Sequence, residues 1–233
     1  MLRVIRSIKN RVYEALYVII LLPKNIYFNF RTLPIKQAIK LPFFVNYGVK
    51  LKELHKGVIF LNSDKIYKYM ISIGRGGSEG IPLTSKGIIS LKSSSKVIFK
   101  GSAQFHAGVR IYLDENAHAI FGDGFSANRN FILYYNDRIK FGDDCMLGWN
   151  IQIIDGNAHK VLYDGKIKKS ICDINIGKHV WIGAEVKICR SVLIGDNSIV
   201  AYGSTITGGI FSHNSLIGGY PSKTIKKGIN WNK

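Results

Sequence analysis

The feature that most constrains this chain is an apolar residue that returns at every sixth position over residues 176–206. An α-helix repeats about every 3.6 residues and a strand about every two, so a period of six is compatible with extended chain but not with a helix. Glycine directly follows three of the six repeats, and a long flat strand would not carry glycine so regularly. The pattern predicts short strands separated by regular corners. The repeating positions are Ile176, Ile182, Ile188, Ile194, Val200 and Ile206.

The same rhythm extends upstream and divides the chain into three zones. Apolar residues spaced by six recur between Phe99 and Ile153, and the rhythm then stops until Ile176. Hexapeptide periodicity is the signature of a parallel β-helix, in which stacked coils share one interior column. We therefore predict an all-β fold. Its zones are a basic, partly helical N-terminal extension (residues 1–56), a parallel β-helix (57–210) with an excursion loop near 157–175, and a basic C-terminal tail (211–233).

The charge balance predicts an anionic partner. The chain carries 33 Lys and Arg against 15 Asp and Glu, a formal net charge of +18. Such an excess favours nucleic acid, a membrane surface, a phosphorylated cofactor or an acidic glycan. Nucleic acid is not expected, because the 12 tyrosines are scattered rather than arrayed for base stacking. The three cysteines form no CxxC pair, which is typical of a reduced compartment, so we expect a cytoplasmic protein.

The N-terminal extension combines basic and apolar residues at helical spacing. Residues 15–23 are apolar but too few to span a bilayer. Residues 1–28 fit a basic amphipathic helix that lies on anionic lipid, which would make the protein peripheral at the inner face of the cytoplasmic membrane. The other interpretation is a helix that packs on its own domain or on a neighbouring subunit.

Three short segments carry a family resemblance: VWIG (residues 180–183), IGDNS (194–198) and GYPSK (219–223). In this order they resemble the hexapeptide-repeat acyltransferases, over roughly residues 90–228. The similarity is to the sugar O-acetyltransferase branch, which includes galactoside and maltose acetyltransferases and enzymes that decorate capsule or lipopolysaccharide. The resemblance implies a left-handed β-helix, a homotrimer with active sites between subunits, and acetyl-CoA as the acyl donor.

The predicted catalytic residues are His159, Asp155 and Asn128. Acetyl transfer to a hydroxyl needs a base for the hydroxyl proton, donors for the oxyanion and a site that holds both substrates. His159, in DGNAH, lies where the rhythm breaks, and the resemblance implies that it is the general base. Asp155 either orients that imidazole or binds the acceptor, or it is a corner aspartate that satisfies its own turn. The resemblance implies that Asn128, in ANRN, holds the acceptor hydroxyl across a subunit boundary from His159.

The resemblance also implies a groove for acetyl-CoA along stacked corners between two subunits. Trp181 would flank the cleft near the pantetheine arm or the acceptor; the alternative is packing in a subunit interface. Tyr202 stands where the family has a small residue, and Gly208 stands where it has a lysine. The positions that match donor contacts in the family are Trp181, Gly183, Ala184, Tyr202, Gly203, Thr207, Lys223 and Lys226.

These observations predict an enzyme that transfers acetyl from acetyl-CoA to a sugar hydroxyl by direct attack, with His159 as the general base. The acceptor is expected to be a glycan of a bacterial surface polysaccharide, either acidic or lipid-linked. Two alternatives remain open: N-acylation of an amino sugar on the same fold, and a non-catalytic basic module that binds a membrane surface. The remaining histidines lack ligand-like spacing, so we expect no metal.

Overall fold

The computed structural model describes residues 2–155, 162–163, 166–167 and 173–233. The two helices are α1 (Leu2–Thr32) and α2 (Ile35–Ala38). The strands are β1 (Phe43–Val45), β2 (Val49–Glu53), β3 (Ile59–Leu61), β4 (Ile71–Ile73), β5 (Gly87–Leu91), β6 (Lys96–Phe99), β7 (Ala103–Phe105), β8 (Arg110–Leu113), β9 (His118–Phe121), β10 (Phe125–Ala127), β11 (Ile132–Tyr135), β12 (Arg138–Phe141), β13 (Met146–Leu147), β14 (Gln152–Ile154), β15 (Leu162–Tyr163), β16 (Lys166–Ile167), β17 (Ile174–Ile176), β18 (Trp181–Ile182), β19 (Lys187–Ile188), β20 (Val192–Ile194), β21 (Ile199–Val200), β22 (Thr205–Ile206), β23 (Gly209–Phe211), β24 (Ser215–Gly219) and β25 (Ser222–Lys227).

The strands wind into three long sheets that form the faces of a coil. Sheet I contains β1, β4, β7, β10, β13, β18, β21, β24 and β25; sheet II contains β2, β5, β8, β11, β14, β19 and β22; sheet III contains β3, β6, β9, β12, β17, β20 and β23. Within each sheet, a strand pairs in parallel with the strand of the next coil. The described strands make seven complete coils. The predicted class, a left-handed parallel β-helix with a helical N-terminal extension, is confirmed.

The hexad residues form the interior column of the coil. All six from Ile176 to Ile206 are at most 1% exposed. In the earlier coils phenylalanine takes the same place, and the Phe121 ring stacks on those of Phe99 and Phe141, with centroids 5.2 and 5.5 Å apart. Fully burying one such side chain contributes about 1.5–3 kcal/mol. The column is therefore a main source of cohesion between coils.

Four glycines that follow an inward residue lie at the corner where sheet III passes to sheet I. Gly122, Gly142, Gly177 and Gly195 follow the inward residue of β9, β12, β17 and β20. A Cβ on Gly142 would lie 2.6 Å from the carbonyl carbon of Gly177 in the next coil. Backbone packed this closely leaves no room for a side chain. The glycine spacing thus follows from the distance between coils.

Helix α1 closes the N-terminal end of the coil stack. The Asn25 Oδ1 accepts a hydrogen bond from the Val45 N–H at 2.5 Å, and the Asn29 Oδ1 accepts one from the Phe43 N–H at 3.0 Å. Phe28 packs edge to face on Phe43, with ring centroids 5.2 Å apart. The helix thereby satisfies the otherwise open edge of β1. In the described part of the chain, no helix combines the length and the hydropathy needed to cross a bilayer.

Regular strands extend beyond the zone predicted for the β-helix. Strands β1 and β2 lie within residues 1–56, and β24 and β25 lie within 211–233. Strand β25 runs antiparallel to β24 and covers the last edge of sheet I. The antiparallel pair of β15 and β16 lies inside the predicted excursion at 157–175. The division into three functional zones stays a prediction.

Candidate functional site

The predicted site residues with a described position lie mainly at two different corners of the coil. We call the turn from sheet I to sheet II the I–II corner, and the turn from sheet II to sheet III the II–III corner. Asp155 and Thr207 lie at the II–III corner, after β14 and β22. Because sheet II separates the corners, one chain does not bring the two groups together. The I–II corner carries Asn128, Gly183, Ala184, Tyr202 and Gly203.

Backbone hydrogen bonds stack the I–II corners of successive coils. The Gly183 N–H donates to the Val200 carbonyl at 2.8 Å, and the Gly203 N–H donates to the Ala184 carbonyl at 2.9 Å. A Cβ on Gly203 would meet no atom within 4 Å, and Tyr202 is 68% exposed. The corner is an open shelf that carries one exposed aromatic side chain.

Lys223 lies at the end of this shelf. Strand β25 places Lys223 opposite Gly218, which follows the β24 residue paired with Val200. Lys226 lies opposite Leu216, and both lysines are exposed. The structure thus brings Lys223 to the same corner as Tyr202, and it leaves Thr207 one corner away.

Trp181 faces outward from sheet I, one residue before the inward Ile182. Its ring centroid is 6.0 Å from that of Trp231, and Trp181 remains 38% exposed. The side chain therefore has one side against the chain's own C-terminal segment and the other open to a ligand or a neighbour.

The contacts of Trp231 with His179 are a feature that the sequence analysis did not predict. The Trp231 ring stacks on His179 with centroids 4.1 Å apart, and its indole N–H donates to the His179 carbonyl at 2.8 Å. The imidazole faces the Trp231 carbonyl at 2.9 Å and the Asp144 carboxylate at 2.7 Å. These two hydrogen bonds, the one to Trp231 first, raise the pKa of His179. No local pattern could have linked residues 52 positions apart.

Asn128 is held by the loop between β4 and β5. Its Oδ1 accepts hydrogen bonds from the Ser78 N–H at 3.0 Å and the Arg129 N–H at 2.8 Å, and its Nδ2 donates to the Ser78 Oγ at 2.9 Å. The amide is therefore fixed in orientation. One hydrogen bond of the Asn128 amide group, to Ser78, is seen among the described residues, and a contact with the acceptor hydroxyl stays a prediction. Ser78 is a positioning residue that sequence reasoning missed, since it lies 50 residues from its partner.

Asp155 caps the turn between β11 and β12. Its Oδ2 accepts hydrogen bonds from the Asn136 N–H at 2.8 Å and the Asp137 N–H at 2.7 Å. The side chain is buried, and its Oδ1 has no hydrogen-bond partner among the described residues. Burial outweighs the two N–H donors and raises the pKa of Asp155 to about 6. Asp155 therefore caps the turn of a neighbouring coil rather than its own turn, and its role in the site stays a prediction.

His159, the predicted base, lies outside the described residues. In the sequence it follows Asp155, the last described residue before it, by four positions. Among the residues that the structure does describe, no three His, Cys, Asp or Glu side chains converge to hold a metal ion. The absence of a metal stays a prediction.

Replacing Asp155 by Asn should remove a pH dependence of folding stability. An unfolded Asp titrates at about 3.9, so the folded carboxyl holds its proton more tightly. Its contribution to stability is full below about pH 4 and is lost as the pH rises through about 6. The loss approaches about 3 kcal/mol, since each pKa unit corresponds to about 1.4 kcal/mol. Urea unfolding of the wild type and Asp155→Asn across this pH range measures it.

The asparagine keeps a carbonyl oxygen for both N–H donors, so the variant tests charge rather than the cap. The exposed Asp64→Asn is the matched control and should follow the wild type at every pH. A free energy of unfolding that rises between about pH 4 and 6 relative to Asp155→Asn would contradict the prediction. It would mean that the two N–H donors outweigh burial.

Comparison with known proteins places the chain among repeat proteins of this kind. The sequence profile of the bacterial transferase hexapeptide, a set of six repeats, matches residues 173–208. The matched segment therefore carries the hexapeptide repeat of bacterial transferases. A putative acetyltransferase of Saccharomyces cerevisiae is 30% identical to the chain over 118 residues, and the galactoside O-acetyltransferase of Escherichia coli is 29% identical over 120 residues.

Both alignments cover 50% of this hexapeptide-repeat chain, and it spans 59% and 58% of the two relatives, less than two thirds of either. A putative lipopolysaccharide biosynthesis O-acetyl transferase of Escherichia coli is 24% identical over 135 residues. That alignment covers 53% of this chain and 68% of the relative.

Proposed function

We propose that this hexapeptide-repeat chain transfers acetyl from acetyl-CoA to a sugar hydroxyl. The observation that carries the proposal is the open I–II shelf, on a repeat that is similar in sequence to a galactoside O-acetyltransferase. Stacked corner backbone offers N–H and carbonyl groups to a pantetheine arm, and Lys223 at the end of the shelf offers a charge to a CoA phosphate. Lys226 and Trp181 flank the same face.

The chemistry needs a base, and we assign it to His159. The acceptor oxygen attacks the thioester carbonyl, the new C–O bond forms and the C–S bond breaks. His159 takes the hydroxyl proton and returns a proton to the leaving thiolate. The unpartnered Oδ1 of Asp155 supports this assignment, because an oxygen buried at the start of the His159 loop suits an imidazole N–H donor.

The two corners imply that a complete site needs more than one subunit. The shelf and Asn128 lie at the I–II corner, whereas Asp155, the last described residue before His159, lies at the II–III corner. We propose a homotrimer in which the II–III corner of one subunit meets the I–II corner of the next. Asn128 would then present its remaining amide hydrogen to the acceptor hydroxyl, and Thr207 would reach the donor from the neighbouring subunit.

The acceptor that we propose is a glycan of a bacterial surface polysaccharide or its lipid-linked precursor. The net charge of +18 favours an acidic or lipid-anchored substrate. The similarity to a relative named for lipopolysaccharide biosynthesis supports the same class. N-acylation of an amino sugar remains the second candidate, and the product separates the two, because hydroxylamine cleaves an ester and leaves an amide intact.

Calorimetric titration of acetyl-CoA into the protein tests the donor site. We expect one site per chain and a dissociation constant that rises about two- to fivefold in Lys223→Ala, as for an exposed charge contact. CoA without its 3′-phosphate should bind the wild type more weakly and should show less effect of the substitution. Lys56→Ala removes an exposed lysine in the first coil and is the matched control. Absence of binding to a folded trimer at millimolar donor would overturn acetyl-CoA as the substrate.

A further inference from the structure

Helix α1 has a second face whose described apolar residues are largely exposed. Its buried residues, among them Asn25, Phe28 and Asn29, lie along one side. At about 100° per residue, the exposed apolar residues of the helix lie on the opposite side. Helix α2 begins with the exposed Ile35, and the exposed Ile39 directly follows its last residue. All are 42–73% exposed: Val12, Tyr13, Leu16, Ile19, Ile20, Ile26, Tyr27, Phe30, Ile35 and Ile39.

The outer face groups exposed apolar residues together rather than singly. Single exposed apolar residues are common, but contiguous patches mark an interaction site. The described part of the fold leaves the patch exposed, since the hydrogen bonds of Asn25 and Asn29 hold the other side of the helix against β1. The patch is therefore available to a partner.

The charge around the patch decides between two candidates, an anionic lipid surface and a second copy of the helix. Residues 1–40 contain eight Lys or Arg and one acid, Glu14. Two copies packed face to face would bring the exposed cations of both helices together, whereas an anionic membrane attracts each Lys or Arg near its surface by about 1 kcal/mol. Arg31, Lys36 and Lys40 are exposed next to the apolar residues.

The aromatic residues of the patch fit the same surface. Tyr13 and Tyr27 are 60% and 55% exposed, and tyrosine is enriched where one end of a side chain is apolar and the other is wet. No described helix has the length and hydropathy to span a bilayer, so the helix would lie in the interface rather than cross it.

We infer that the outer face of α1 and α2 is a docking surface for an anionic lipid membrane, with α1 parallel to the bilayer. The first coil then lies on the membrane side of the stack, behind α1. The shelf in the sixth and seventh coils lies about 25 Å from the first coil, at about 4.8 Å per coil. The inference does not depend on the acetyl-transfer proposal, because it concerns a surface at the other end of the coil stack.

Vesicle co-flotation of the full chain tests the inference. We expect binding to vesicles of phosphatidylcholine mixed with phosphatidylglycerol, weak binding to phosphatidylcholine alone, and weakening by salt. Ile20 is 73% exposed in the free protein. Ile20→Glu should lower the partition coefficient about tenfold or more, because it removes an apolar side chain that the lipid would bury and adds a charge that anionic lipid repels.

Ile210→Glu is the matched control, since Ile210 is 83% exposed on β23 near the far end of the coil. It makes the same substitution with the same change in charge and should bind vesicles nearly as well as the wild type. Equal loss in the two variants would overturn the inference in favour of binding by net charge alone. Failure of the wild type to bind anionic vesicles at low salt would also overturn it. So would a fall in the molar mass of Ile20→Glu in light scattering, which would identify a second copy as the covering surface.

Discussion

Replacing His159 by Ala should lower kcat for acetyl transfer by two to four orders of magnitude, the usual contribution of a positioned general base. Most of the proposed donor contacts lie on the I–II shelf and do not involve His159, so the dissociation constant of acetyl-CoA should change less than about twofold. Steady-state kinetics with a hydroxyl acceptor, together with the calorimetric titration, separates the two effects. Added imidazole should restore part of the lost rate, because a small base can enter the space that the side chain leaves.

His213→Ala is the control for this experiment. His213 is an exposed histidine near the end of the coil, with its side chain 68% exposed, and its loss should leave kcat within about twofold of the wild type. If His159→Ala kept the wild-type rate, the proton acceptor would have to be another group. If both kcat and thermal stability collapsed without rescue by imidazole, His159 would be structural.

Replacing Gly142 by Ala should destabilise the fold by about 3 kcal/mol or more, the upper range for overpacking. The added Cβ would lie 2.6 Å from backbone atoms of Gly177 and Lys178, and backbone on both sides of the contact belongs to hydrogen-bonded coils. Two adjacent coils would have to separate to accept one methyl group. Such a loss is a large share of the 5–15 kcal/mol that usually stabilises a domain. Urea unfolding followed by circular dichroism gives the midpoint.

Gly48→Ala is the matched control for Gly142→Ala. A Cβ at Gly48 would meet no atom within 4 Å, and the residue does not adopt a left-handed conformation. Its free energy of unfolding should stay within about 0.5 kcal/mol of that of the wild type. Equal midpoints for the two variants would show that the coils can spread at their corners and that the glycine repeat has another cause.

The coil was predictable because its determinants recur within six residues. Inward Ile and Phe and corner glycines report the same local geometry in each coil, so the period is visible without knowledge of distant contacts. The first coil escaped the prediction for a physical reason. Phe43 and Val45 in β1 are covered by α1 rather than by an earlier coil, so their neighbourhood shows no hexad rhythm.

The site was predictable in part. The resemblance assigned Gly183, Tyr202 and Lys223 to one donor groove, and the structure places them along one corner. Their role in binding CoA stays a prediction. Ser78, which fixes Asn128, has no signal in the sequence, because its contact spans 50 residues. Asn128 and Asp155 are separated because the first follows a strand of sheet I and the second follows a strand of sheet II.

The stacking of coils, each resting on the one before, also shapes how the chain can acquire its fold during synthesis. Contacts between coils join neighbours in the stack, so a nascent chain can add one turn at a time as it leaves the ribosome. Helix α1 is made before every coil and provides a surface on which β1 can pack. Strand β25, which covers the final edge, is made after every coil that it protects. Until then the growing end presents open strand edges, and this interval is when two nascent chains of the same kind are most prone to pair wrongly.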